Sequence, residues 1–394
     1  MKKIILTVVC LSVFALSTVK AQQEGYVFTP VQELKITPVQ NQNRTGTCWS
    51  FSSLAFVESE LIRMGKGEHN LSEMFVVNYS YKDKAEKYVR THGTSNFSEG
   101  GSFYDVLYVL KHYGIVPEAV MSGLEYGEEM HVHNELVGAS TAFVESMVRN
   151  RNGKLSTSWK KAFGGIIDAY LGKIPETFTY SGKEYTPQGF VKELGFNADD
   201  YVSLTSFTHH PFYSRFVLEI PDNWRWGESY NLPLNEFMAV FDQAINAGYT
   251  IAWASDVSEP GFSRNGIAVA PDVEAIETSG SDQARWVGLD TQSRNDLIRR
   301  IAENPCQELT ITPELRQQGY DNYQTTDDHG MQIYGIAKDQ TGKKFYMVKN
   351  SWGTGSKYEG LWYVSEAFVA YKTINIVVHK DALPKAIKDK LGLK

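Results

Sequence analysis

Cys48 opens a run in which Phe51, Leu54, Val57, Leu61 and Met64 recur every three or four positions, and Gly65 closes it. That spacing predicts a helix with an apolar stripe and a glycine stop, and it sets the cysteine in the first turn. A thiol there sits beside N–H groups outside the helical ladder, at the positive end of the helix dipole. Both favour the thiolate. The residues before it, Asn41-Gln42-Asn43-Arg44-Thr45-Gly46-Thr47, make a loop on which Gln42 can fold back beside the sulfur. Its side-chain N–H₂ and the Cys48 backbone N–H would then form a donor pair for a developing oxyanion. Taken alone, Cys48 reads as an inert buried thiol.

Two stretches far along the chain change that reading: Asp328-His329-Gly330, and Lys349-Asn350-Ser351-Trp352-Gly353. His329 leads an alternating strand pattern through Met331, Ile333, Gly335 and Ala337. Asn350 follows a second strand-like run, Phe345-Tyr346-Met347-Val348, and Thr341-Gly342 between them reads as a turn. A hairpin of this kind brings His329 and Asn350 side by side. The histidine can take the thiol proton, and the asparagine can orient it through the other ring nitrogen. Trp352 is expected to pack over the pair and shield their hydrogen bond from water.

These blocks resemble the papain-like cysteine peptidases, which share the order Gln-x5-Cys-Trp-x-Phe, a later His, and Asn-Ser-Trp-Gly. Within them the chain is similar to the bleomycin hydrolase and aminopeptidase C branch. The marks of that branch are the long interval from Cys48 to His329, the segment S-E-G-G-S-F-Y-D-V-L-Y-V-L-K-H-Y-G-I-V-P, and the closing N-I-V-V-H-K-D-A-L-P. The resemblance implies an α+β fold of two lobes, one helical and one β-rich, with the cleft between them. It implies catalysis by Cys48, His329, Asn350 and Gln42 without cofactor or metal, on peptide substrates. It also implies that Gly100 and Gly101 pair with substrate main chain, that Trp352 belongs to the substrate-binding set, and that copies of the chain form a homo-hexamer.

Other features bound the rest. With 394 residues, 42% hydrophobic and 22% charged, the composition is that of a globular enzyme. Residues 1–21 carry Lys2-Lys3, an apolar run over 4–16, and Val19-Lys20-Ala21, the pattern of a cleaved signal peptide and thus of an exported, periplasmic or extracellular protein. They hold three lysines and no acid, so the remainder carries a formal charge of about −10, which argues against nucleic acid as a partner. No membrane span is expected after signal removal, and Cys48 and Cys306 suggest no disulfide framework. Residues 22–117 read as the helical lobe, 118–230 as an inserted lobe that walls the cleft or mediates subunit contact, and 231–394 as the β-rich lobe. A second insertion at about 262–325 is expected to cover the cleft rim. A short helix from Asn70 through Tyr79 is followed by a polar surface excursion over 82–98. His131-Val132-His133 and His209-His210 lack acid or cysteine partners at close spacing, so they read as surface or satisfied histidines rather than metal ligands. Asp327-Asp328 reads as a solvated pair, or as an influence on His329.

Relatives of the aminopeptidase C type place their own C-terminus in the cleft to meet the substrate's free amine. Here Gly392-Leu393-Lys394 follow the last helix pattern, a reach of roughly 10 Å. An endopeptidase therefore stands beside the aminopeptidase as an alternative, and an inactive peptide-binding protein is a third reading.

Overall fold

The computed structural model describes residues 25–278 and 290–393. The expected leader at 1–21 lies outside the described residues. On one side of the molecule three helices surround the predicted cysteine: α1 (Cys48–Arg63), α2 (Glu73–Arg90) and α3 (Phe103–His112). Every residue of α1 from Trp49 to Leu61 is buried. The apolar stripe was the visible part of a helix covered all round, because sheet and helices enclose it from opposite sides. α2 begins where Ser72 accepts a hydrogen bond from the Phe75 N–H. It then runs on to Arg90, well past the expected stop at Tyr79. The lysines that read as a surface excursion are good helix formers, and Lys84 turns inward to cap the Ser98 and Gly100 carbonyls.

The β-rich side is one large sheet. Its hydrogen-bonded order is Arg215–Val217, Glu228–Asn231, Tyr201–Thr205, Thr373–His379, Ile251–Ser255, His329–Lys338, Lys344–Lys349, Leu361–Ser365, Ile267–Ala268 and Phe262–Ser263. Thr29–Glu33 pairs with the second half of His329–Lys338. The expected hairpin is present, with Gln332 opposite Lys349 and Lys338 opposite Lys344. Gly342, at φ +88°, makes its turn. The strand from His329 is buried on both faces through Ala337, because α1 covers one face and Leu234–Asn246, with its Phe237 and Phe241, packs toward the other.

Residues 118–230 do not stand as a lobe of their own. α4 (Asn134–Val148), α5 (Trp159–Leu171) and α6 (Pro187–Leu194) bury Leu136, Phe163, Ile167 and Phe190 in the same core as α1 to α3. The rest, Tyr201–Thr205 onward, extends the sheet beyond Thr373–His379. The described part of 262–325 supplies no residue to the cavity around Cys48, though its Phe262 stands edge-on to Trp352. Its Ala302 packs instead with Tyr26, Val269 and Phe345. Among the described residues no helix is long and apolar enough to cross a membrane.

Candidate active site

The junction of the two sides is set by a close approach. α1 lies against the strand that starts at His329, and a β-carbon on Gly330 would stand 3.1 Å from the Phe103 ring and 3.5 Å from the Cys48 carbonyl oxygen. Glycine lets the helix come down onto the strand, and this seats Cys48 next to His329. The two line one cavity together with Trp49, Gly101, Asp222 and Asp327. Cys48 is half-buried, and its sulfur accepts from the Gly330 and Trp49 backbone N–H groups. His329 Nε2 donates to Asn350 Oδ1 at 2.7 Å, which leaves Nδ1 as the nitrogen for the thiol. The Trp352 ring stands 4.7 Å from the imidazole, tilted by 33°, and shields that hydrogen bond.

Gln42 is held by the segment that carries Asn350. Its backbone N–H donates to the Ser351 carbonyl at 2.8 Å, and its Oε1 accepts from Ser351 Oγ at 2.6 Å. One proton of its side-chain amide goes to the Thr45 carbonyl, 2.8 Å away. The other is the one left for a ligand. His131 and His133 clamp the same loop through their backbones: Arg44 N–H donates to the His131 carbonyl, and His133 N–H to the Arg44 carbonyl. They are buried rather than at the surface, and His133 has both ring nitrogens without a hydrogen-bond partner among the described residues, Nδ1 lying 3.7 Å from Glu99 Oε1.

The electrostatics differ from the expected resting thiolate. Burial pushes the Cys48 thiol up to about 12, with the Asp327 and Asp222 charges adding to it, against the pull of the Gly330 and Trp49 N–H groups. Burial likewise pushes His329 down to about 4, outweighing the Asn350 hydrogen bond and the Asp328 charge. Both shifts point toward neutral thiol and neutral imidazole, because burial in the cavity penalises each ion against the pull of one helix terminus.

Asp327 and Asp328 are not a solvated pair. Asp328 accepts from Thr326 Oγ1 at 2.7 Å and from Ser258 N–H at 3.1 Å. Burial would raise it, but these bonds and one from Asp256 hold it below the usual carboxylate range. Asp327 goes the other way, up to about 8, through burial and then the charges of Asp222 and Asp328.

The two glycines part company. Gly101 lines the cavity against the Trp49 indole. Gly100 is taken up by the chain itself: Lys84 binds its carbonyl, and a β-carbon there would fall 1.9 Å from Asp222 Oδ2. The Asp222 side chain, from a loop of the inserted segment, thus lies against the stretch expected to pair with substrate main chain. His209 and His210 do find an acid, Glu219, at 3.0 and 3.7 Å. Folding supplies a partner that linear spacing lacked, and together these three could present one ligand atom each to a metal ion. The cluster is largely exposed and lines no part of the Cys48 cavity. Asp222 is a cavity residue that no sequence signal singles out. Asp327 is visible there only through its place two before His329.

A buried helix carrying the thiol, set against a sheet strand carrying the imidazole, is the framework of a papain-like cysteine peptidase. Residues 4–277 and 315–393 match the Peptidase C1-like family, and the chain belongs to it. It is 23% identical to aminopeptidase C of Streptococcus thermophilus over 388 residues, covering 88% of this chain and 81% of that protein. It is 22% identical to aminopeptidase G of Lactobacillus delbrueckii subsp. lactis, covering 90% and 83%. PepW of Lactobacillus rhamnosis has the same fold, with a TM-score of 0.70 at 20% identity, over 92% of this chain and 84% of that one.

Proposed function

We propose that this protein is a cysteine aminopeptidase that releases N-terminal residues from peptides through an acyl-enzyme on Cys48. The observation that carries this reading is the sharing of one cavity by Cys48 and His329, with Asn350 2.7 Å behind the imidazole. Membership of the Peptidase C1-like family supports the reaction class, and the names of the relatives support the free-amine substrate.

In this mechanism the Cys48 proton passes to His329 Nδ1 as the sulfur attacks the carbonyl. Starting from a neutral pair, transfer and attack occur together. The oxyanion is held by the Cys48 N–H, which lies outside the ladder of α1, and by the remaining Gln42 amide proton. Collapse breaks the C–N bond, and the leaving amine takes its proton from His329. Water then gives a proton to the same nitrogen and attacks the thioester, releasing the carboxylic acid and restoring the thiol.

The test is hydrolysis of aminoacyl amides with a fluorogenic leaving group. Cys48→Ala should show no turnover and an unchanged Tm. Equal activity in that variant would remove the reading.

Residues 1–21 are proposed to direct export, which N-terminal sequencing of protein recovered outside the cytoplasm would check. The family's hexamer is the assembly to look for by light scattering.

A further inference from the structure

Asp222 sits on a loop, residues 218–227, that crosses from the sheet-extending segment onto α2 and α3. The loop is braced from within, because Asn223 Nδ2 donates to the Leu218 and Gly227 carbonyls at 2.8 Å. It is tied down from outside, where Arg225 bonds Asp105 and Asp83, each at 2.7 Å. Asp222 itself accepts from Asn96 Nδ2 at 2.9 Å and donates its backbone N–H to Asp327. The nearby cations are engaged elsewhere, Lys84 on the Ser98 and Gly100 carbonyls and Arg225 on its two acids.

Asp327 is left incomplete. Its Oδ2 is buried and has no hydrogen-bond partner among the described residues, a costly state for a carboxylate oxygen. It lines the cavity that holds Cys48 and His329, a space of about 20 Å³, room for roughly one water. The group that completes it must be a small hydrogen-bond donor, and the surrounding acids favour a cation. A substrate residue whose carbonyl lies at Cys48 carries its α-nitrogen two bonds away. A lysine or arginine side chain needs far more room. Upstream substrate residues would run into Asp222 at Gly100, whose carbonyl Lys84 already holds.

We propose that Asp327, backed by Asp222 on the 218–227 loop, determines specificity by receiving the free α-ammonium of the substrate's first residue, and that the loop stops the substrate from extending past it. This rests on the peptidase reading above and gives it a ruler within the fold.

The experiment compares an aminoacyl amide with its N-acetylated form on wild type, Asp327→Asn and Asp327→Glu. Wild type should prefer the free amine. Asp327→Asn should lower kcat/KM for the free amine by about 10- to 100-fold, chiefly through KM, because a bound ammonium favours the ionised carboxyl and the amide cannot take up that charge. Turnover of the acetylated form should hold or rise, and Asp327→Glu should keep part of the preference. Complete alkylation of Cys48 by a neutral chloroacetamide, together with a cooperative thermal unfolding transition, shows that each variant is folded with its cleft accessible. An unchanged preference in Asp327→Asn overturns the assignment, as does a wild type indifferent to acetylation, and in both cases the peptidase reading survives. A wild type that cleaves neither substrate removes both.

Discussion

A β-carbon added to Gly330 would lie 2.6 Å from Ser52 Oγ, the hydroxyl that itself donates to the Cys48 carbonyl at 2.7 Å. This contact measures how closely α1 rests on the His329 strand, and so how Cys48 meets His329.

Gly330→Ala should therefore act on both folding and catalysis. Relief requires Ser52 to give up its bond or α1 to rise, and overpacking of this kind costs about 1–3 kcal/mol. The expected result is a lower Tm together with a kcat/KM loss larger than that of Ser52→Ala. Calorimetry and the aminoacyl amide assay on both variants check this.

The pH dependence of kcat/KM should show an acid limb near 4, where His329 takes up a proton and ceases to be a base. The sign follows from burial: the imidazole is neutral above that limb, and the thiol, pushed up to about 12, stays protonated well above neutrality. Activity is lost as pH falls and is flat through neutrality with respect to this pair. Asn350→Asp places a negative charge against Nε2 and should move the acid limb upward. Asn350→Ala removes the orienting bond and should cost about 10- to 100-fold in rate without that shift.

Asp327 should make stability fall as pH rises. Its folded value, about 8, lies above the ordinary carboxylate range. The unfolded chain therefore releases the proton first, and the penalty grows from about pH 4 until it levels off near 8. Asparagine resembles the neutral acid and carries no such penalty. The Tm of Asp327→Asn minus that of wild type should widen with pH across this window; a constant difference would contradict the assignment.

Arg225→Ala should destabilise by about 3 kcal/mol or more, since it leaves Asp105, fully buried, without its 2.7 Å partner. Denaturant unfolding reads the loss. Because the 218–227 loop is freed as well, turnover of N-acetylated substrate should rise relative to the free amine.

The elements nearest the chemistry were legible because their signals are local. The stripe after Cys48, the alternation after His329 and the turn at Thr341-Gly342 each reflect neighbours a few residues apart. The end of α2 was not, because Lys84 satisfies carbonyls at Ser98 and Gly100 and only looks like a surface lysine in the sequence. The same holds for Glu219, which reaches His209 and His210 only once the chain has folded back.

The sequence by itself determined the class of fold and marked the candidate Cys, His and Asn with their order, since helix and strand periods and side-chain chemistry are written in residue types. Tertiary structure decided how those groups are charged and what the cleft admits. Burial sets the protonation of Cys48 and His329, and Asp222 meets Asp327 across more than a hundred residues of chain. Desolvation and like-charge repulsion depend on distance in space, which spacing along the chain does not encode.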